Sequence, residues 1–404
     1  MKSEWKEYSL GELYEVHNGL SKGRKFFGRG YPFLSFSTVF NRYFLPEKLT
    51  DLVESTEKER ETLSIRRGDI FITRTSETYD ELGMSCVALK NYPNATFNGF
   101  TKRLRPHEEG RVLPEFIGYF LRGPQFRRKF EQIANVTTRA SLSNGDLLNM
   151  VVSLPPLPVQ RKIASILSAL DDKIETNNAI CRNLEEQARA LYELWLSKRK
   201  NECEWLSLEA IADLNPEAYS IKEKWGYINY LDTGNITDGV ISSIQKIDLE
   251  QDELPSRARR KVKAGDVVFS TVRPNQRHFG ILHSPLPNML VSTGFTVIRS
   301  NKTDISNELI YLLLSDSSFV EKMQQIGEQS VSAYPSVKPT DIATCQIPFM
   351  DSMDYFQMQK VICAMFSQSA VLKDVNRYLS DMRDTLLPKL MNGEIDLGKL
   401  GKLA

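Results

Sequence analysis

The sequence predicts an α+β fold built by tandem duplication. Two globular α/β parts are each followed by a long helix, and the two helices pair as an antiparallel coiled coil. Three observations carry this. Short motifs recur in the same order across half the chain. Two stretches have apolar residues at heptad spacing. The length of 404 residues exceeds what one hydrophobic core usually supports.

The repeats run as follows. Glu4-Trp5 with Ser9-Leu10 returns as Glu204-Trp205 with Ser207-Leu208, and Arg67-Gly68-Asp69-Ile70-Phe71 as Ala264-Gly265-Asp266-Val267-Val268. Asn98-Gly99-Phe100-Thr101 pairs with Thr293-Gly294-Phe295-Thr296, and Leu113-Pro114-Glu115-Phe116-Ile117 with Ser306-Asn307-Glu308-Leu309-Ile310. Asp146-Leu147 leading to Leu154-Pro155 pairs with Asp341-Ile342 leading to Ile347-Pro348. One such pair is weak; the shared order makes the set significant. Each globular part mixes β-rich runs (Asp69 to Thr73, Val267 to Val272, Phe295 to Arg299) with Gly, Pro and Asn turns and a few helical stretches.

Pro155, Pro156 and Pro158 form a stiff entry to the first long helix. From Val159 its apolar positions are Ile163, Ile166, Leu170, Ile174, Cys181, Leu184, Ala188, Leu191 and Trp195, with Asn177 in the seam as a register-fixing polar residue. The second helix is expected from about Phe356 through Ile362, Met365, Leu372, Val375, Leu379, Met382 and Leu386, with Pro388 ending or kinking it and Gly393 just beyond. At 1.5 Å per residue, ~40 and ~33 residues give rods of roughly 60 and 50 Å. A lone helix exposing such a stripe would aggregate, which is why the two are expected to pair.

Composition narrows the function. No apolar run approaches the roughly 18 residues that cross a bilayer. The acidic opening lacks a signal-peptide core, and the five cysteines (Cys86, Cys181, Cys203, Cys345, Cys363) contain no C-x-x-C. A cytoplasmic protein without disulfides or a metal site is expected. The 52 Lys+Arg against 51 Asp+Glu argue against a uniformly basic surface. Split at residue 200, however, the chain has 31 cations and 25 anions before and 21 and 26 after, so +6 and −5 sum to the overall +1. Local basic surfaces survive the average.

Catalytic motifs are missing. The Gly-Lys pairs at Gly398-Lys399 and Gly401-Lys402 are each followed by Leu, so no phosphate loop forms. The four histidines (His17, His107, His278, His283) lack metal-ligand spacing, and no nucleophile elbow appears. Asn215-Pro216-Glu217-Ala218 lacks the second Pro and the aromatic of a base-gripping methyltransferase loop, and reads as a turn. A non-catalytic chain is expected.

Basic, turn-rich loops are present in both parts. Lys22, Arg24, Lys25 and Arg29 stand among glycines and two phenylalanines. Arg74 and Ser76 follow a strand, and Thr138 and Arg139 precede the helix entry. In the second part, Arg273, Asn275, Gln276 and Arg277 occupy the corresponding place after a strand, and Tyr334 parallels Arg139. Arg makes paired hydrogen bonds to guanine and Asn or Gln to adenine in the major groove, so these residues suit base reading. The cationic run Arg257, Arg259, Arg260, Lys261 and Lys263 reads mainly as a solvated face.

The stretch Leu154-Pro155-Pro156-Leu157-Pro158-Val159-Gln160-Arg161-Lys162-Ile163-Ala164 to Leu170-Asp171-Asp172-Lys173-Ile174 resembles the central conserved helix of type I restriction-modification specificity subunits. Leu386-Leu387-Pro388-Lys389-Leu390-Met391-Asn392-Gly393-Glu394-Ile395 resembles their distal conserved region, and the openings at Trp5 and Trp205 resemble starts of target-recognition domains. The second helix keeps Gln359-Lys360 and Ile362 but reduces the Pro-rich entry to Pro348.

The resemblance implies two target-recognition domains, over 1–154 and 203–350, and two conserved helices, over 155–202 and 351–404. Each domain would read one half of a bipartite duplex DNA site, and the helices would set the gap. Two methylation subunits using S-adenosylmethionine would dock on the helices, and restriction subunits using ATP and magnesium would join them, leaving no cofactor on this chain. The competing readings are a self-contained DNA methyltransferase or nuclease with an unfamiliar site, and a coiled-coil scaffold for proteins.

Overall fold

The computed structural model describes residues 5–76, 82–133, 140–330, 334–395 and Leu397. The chain forms two compact units, one of Met1–Ile174 with Tyr378–Ala404 and one of Glu175–Arg377. Both divisions fall inside long helices, Leu157–Arg199 and Met353–Met391. Each unit is thus a globular part with the stretches of both helices that pack on it, and the helical segments expected at 155–202 and 351–404 are divided between the units.

In the first unit, strand Lys6–Ser9 pairs antiparallel with Val151–Leu154, joining the two ends of the globular part. Its main sheet runs in the order Tyr14–Asn18, Thr101–Pro106, Ile70–Thr73, Ser85–Val87. A smaller sheet centres on Phe27–Leu34. The second unit repeats the plan. Glu204–Ser207 pairs with Gln346–Phe349, and the main sheet runs Ala212–Leu214, Phe295–Ser300, Asp266–Ser270, Phe279–Leu282. Tyr227–Leu231 and Met289–Ser292 lie parallel in its second sheet.

The recurrent Gly-Asp explains itself here. Gly68 and Gly265 have φ of +89° and +87°, a turn that Gly adopts without strain. The following Asp69 and Asp266 are fully buried. Asp69 accepts from the Arg66 backbone (2.7 Å) and from Arg105 Nε and Nη2 (2.8 and 2.6 Å), one edge of the guanidinium. Asp266 does the same with the Lys263 backbone (2.7 Å) and Arg299 (2.7 and 2.8 Å).

The Gln of each helix motif is also a fold residue. Gln160 is buried; its Oε1 accepts from the Leu113 N–H (2.9 Å) and its Nε2 donates to the Pro155 carbonyl (2.9 Å). Gln359 accepts from the Ser306 N–H (2.9 Å) and donates to the Asp304 carbonyl (2.8 Å). Leu113 and Ser306 are the N-caps of helices Pro114–Arg122 and Asn307–Leu314, so each long helix satisfies an orphan N–H of the helix beside it. Gln160→Ala strands two buried backbone groups. It is expected to destabilise the first unit by roughly 1–3 kcal/mol, measured by chemical denaturation of the full chain. An unchanged midpoint would mean water replaces the amide.

Within each unit the helices run antiparallel. In the second, Asn177 donates to Asn376 (2.8 Å), Cys181 approaches the Ser369 carbonyl (3.5 Å) and Trp195 donates to Asp354 (3.2 Å). In the first, Arg383 pairs with Asp171 (2.8 Å). Asn177, the expected polar seam residue, is fully buried, and Asn376 also donates to Asn178 (2.9 Å).

The seam differs in detail from the apolar pattern. On the first helix Ile163, Cys181, Ala188 and Trp195 are buried, joined by Leu167 and Tyr192, while Ile166, Leu170, Ile174, Leu184 and Leu191 are half-buried at its flanks. On the second, Ile362 is buried, but Phe366, Ser369, Leu387 and Leu390 form the inner row. Met365, Leu372, Leu379 and Leu386 are half-buried, and Met382 is 51% exposed, with Arg383 facing the neighbouring helix instead. Apolar counting picked the row beside the true one because the inner row contains Ser369, Asn376 and Arg383. The helix also continues through Pro388 to Met391 and ends at Gly393 (φ +67°).

One pairing of the repeats shifts by a residue. Arg74 N–H donates to the Phe100 carbonyl (3.0 Å) and Thr271 N–H to the Gly294 carbonyl (2.8 Å), so Phe100 corresponds to Gly294 and Thr101 to Phe295. The matching Gly-Phe-Thr letters hide this, and the two phenylalanines sit differently: Phe295 is buried and Phe100 is 57% exposed.

Candidate nucleic-acid interface

In both repeats the central strand leads out of the sheet into a loop that meets the segment preceding the last strand. The Arg74 carbonyl accepts from Leu142 (3.0 Å), and the Thr271 carbonyl from Val337 (2.9 Å). Thr75–Ser76 then pairs with Ala140–Ser141, while Val272 bridges Ser336. Carried one residue further, Ser76 in the first repeat corresponds to Arg273 in the second.

Arg273 adopts a left-handed backbone (φ 48°, ψ 66°), as does Arg277 (φ 57°, ψ 37°), on either side of a short turn over Pro274–Gln276. A non-glycine residue there is strained, and such strain gathers at functional sites. The surroundings hold it. The Arg273 N–H donates to the Pro335 carbonyl (2.8 Å) and the Asn275 N–H to Gln324 Oε1 (3.2 Å). The Arg273 guanidinium stacks 4.3 Å from the Tyr334 ring centroid, and Tyr334 is 56% exposed. Two residues 61 positions apart in sequence, 334 less 273, thereby form one aromatic-backed cation at the surface. Stacking pre-orients a guanidinium fork for planar recognition. Asn275 and Gln276 are exposed beside it.

Arg277 is committed elsewhere. It pairs with Asp238 (2.5 Å), donates to the Ser315 carbonyl (3.2 Å) and lies 5.1 Å from the Phe279 ring. His278, next along, approaches the Ile236 carbonyl (2.6 Å). These contacts anchor the far end of the loop, leaving Asn275 and Gln276 exposed and Arg273 half-buried against Tyr334 on its polar side.

In the first repeat three segments meet. A Cβ on Gly19 would lie 2.1 Å from the Asn98 carbonyl oxygen, and one on Gly99 2.8 Å from that of Leu20, so the chain before Ser21 lies against the loop carrying Phe100. The Arg74 loop joins them through the Phe100 carbonyl. Arg24 and Lys25 are exposed on a short turn, with Lys25 5.2 Å from the Phe26 ring. Lys22 is fixed by Glu59 (2.7 Å) and the Glu54 carbonyl (2.7 Å), and Arg29 pairs with Glu54 (2.7 Å) while 72% exposed.

Arg74 is half-buried, and its Nε has no hydrogen-bond partner among the described residues. Nearby Lys102 bonds Asn144, and burial, with the Arg74 charge adding, pushes its ammonium below the usual lysine range. Two adjacent cations in a desolvated place attract an anion. Thr138 and Arg139 lie outside the described residues, as does the side chain of Ser76.

Other cations are structural. Lys261 pairs with Glu223, and Lys263 with Glu217. Hydrogen bonds from Lys263 and then Arg299 (2.8 Å) hold the Glu217 carboxyl down to about 2. Asn215 takes a left-handed turn (φ 53°) and exchanges hydrogen bonds with Val297 (2.7 and 3.0 Å), as a turn reading of that segment expects. Among the described residues, no cluster of three metal-binding side chains occurs and no helix is long and apolar enough to cross a membrane.

Residues that sequence reasoning did not single out are Phe100, whose exposure a misleading letter match concealed, and Lys102, which lies buried beside Arg74.

Comparison with known proteins agrees with this architecture. Residues 2–186 match the family model of the type I restriction modification DNA specificity domain. Over 470 aligned positions the chain is 22% identical to the specificity subunit of the type I restriction enzyme HindI of Haemophilus influenzae, spanning 97% of this chain and 100% of that protein. It is 29% identical over 176 residues to the EcoKI specificity subunit of Escherichia coli, covering 42% of this chain and 38% of that one. The crystal structure of a type I restriction-modification S subunit from M. genitalium aligns over 96% of both chains with a TM-score of 0.53 at 16% identity, a likeness of fold. The family match thus covers residues 2–186, and the end-to-end likeness of this duplicated α+β chain is to a type I restriction enzyme specificity subunit.

Proposed function

We propose that this chain selects the DNA sequence on which a type I restriction-modification complex acts, each globular part reading one half of a bipartite duplex site. The observation that carries this is the duplicated scaffold with unlike loops. Ladder positions that coincide in the backbone hold Ser76 in one repeat and the stacked Arg273–Tyr334 pair in the other. A rigid frame with exchangeable polar loops suits recognition of two different texts.

Arg273, Asn275, Gln276 and Tyr334 are the proposed base-reading group of the second half, and Arg24, Lys25, Arg74, Ser76, Thr138 and Arg139 supply the first. Lys22, Arg29 and Arg277 contribute mainly by holding those loops. The chain itself is proposed to be non-catalytic and without cofactor, S-adenosylmethionine, ATP and magnesium belonging to partner subunits. Methylation subunits, two per complex, are proposed to dock on the helices. Within the second unit, Val371 (63%) and Val375 (37%) are exposed four residues apart on the second helix. Such neighbouring apolar positions suit a further helix. The paired helices then set the unread gap.

The test is methylome sequencing of cells carrying the chain with its methylation partner. A bipartite motif is expected. Arg273→Ala is expected to relax one position in one half only and to cost about 1–3 kcal/mol of discrimination there. Methylation in a single continuous block, or independent of sequence, would overturn the reading. S-adenosylmethionine binding to the isolated chain would instead favour a self-contained methyltransferase.

A further inference from the structure

We infer that Phe100 is a specificity-determining residue of the first half, its ring packing on the 5-methyl group of a thymine in the major groove; this rests on the proposed DNA-reading function. Three observations place it there. Phe100 is 57% exposed, in a chain whose other phenylalanines are mostly buried in its cores. Its loop is rigid: Phe100 N–H donates to Asn98 Oδ1 (2.7 Å), Thr101 Oγ1 to the Asn98 carbonyl (2.7 Å), and the Phe100 carbonyl accepts from Arg74 (3.0 Å). The loop also lies where the Arg74 segment and the chain around Leu20 converge, beside the cations of the first candidate site.

The duplication supplies the control. The same backbone hydrogen bond in the second repeat is made by the Gly294 carbonyl, so the scaffold does not need a side chain at this position. A phenyl ring left largely in water returns little of the stability that burying it would. The ring is therefore surplus to the fold, and is held out by a loop whose geometry is already set. Among base edges, the thymine methyl is the apolar feature of the major groove, and phenylalanine is one of the side chains that meets it. Arg74 alongside suits a neighbouring base or phosphate.

The experiment uses the chain assembled with its methylation partner. The motif is mapped first, and the half whose recognition Arg273→Ala leaves intact is assigned to the first repeat. Each thymine of that half is then replaced by uracil, which lacks only the methyl. One replacement is expected to weaken binding by the wild type about fourfold, the worth of one buried methyl. Phe100→Ala is expected to bind the thymine and uracil duplexes equally, and Phe100→Leu to keep part of the difference. The inference is overturned if that half contains no thymine, if every uracil replacement is silent in the wild type, or if the penalty persists in Phe100→Ala. Sequence-independent methylation by the wild type would overturn the underlying function instead, which separates the two failures.

Discussion

Asp69→Ala is expected to destabilise the first unit by about 3–5 kcal/mol, because it leaves the largely buried Arg105 guanidinium without its carboxylate. Asp69 has no exposed surface, and its oxygens close both the Arg66 turn and the two-bond Arg105 pair. For a unit of this size each kcal/mol corresponds to roughly 2–4 °C, so the melting transition of that unit is expected to fall by at least roughly 6 °C. Differential scanning calorimetry of the full chain reads it directly. Asp266→Ala provides an internal comparison. Arg299 keeps Glu217 at 2.8 Å after that change, so the second unit is expected to lose less. Equal losses at the two sites would show that Glu217 does not relieve the stranded charge.

Phe366→Ala is expected to cost the second unit about 3–5 kcal/mol through the cavity it leaves. The ring is 5% exposed and packs edge-on to Tyr311, 5.6 Å between centroids. Met365→Ala, one residue earlier and half-buried, is expected to cost distinctly less. Thermal denaturation of the two variants decides which row faces the core. A larger loss at Met365 would restore the seam that apolar spacing alone suggests.

Much of the fold was legible because it depends on repetition and on residues with few conformational options. Gly68-Asp69 and Gly265-Asp266 recur because a left-handed turn and a buried bidentate clamp leave little freedom, and Gln160 and Gln359 recur because each satisfies two backbone groups. The helices announced themselves through heptads. The second seam was misread where its inner positions are Ser369, Asn376 and Arg383, since apolar periodicity does not register a polar core. The candidate site was legible only as separate loops. That Arg273 would lie on Tyr334, or that Arg277 would be absorbed by Asp238, depends on tertiary closure between distant segments. Phe100 was hidden by local identity: Gly-Phe-Thr occurs in both repeats, one residue out of structural register.

The strand pairs Lys6–Leu154 and Glu204–Phe349 bring the two ends of each globular part side by side. A segment whose ends already meet is a closed cassette: it can be lifted out and another of the same closure inserted without stretching the chain that receives it. Under the proposed function, exchange within the flanking helices would swap one reader and leave the other in place. New pairs of half-sites would then arise in a single step, without waiting for loops to mutate base by base.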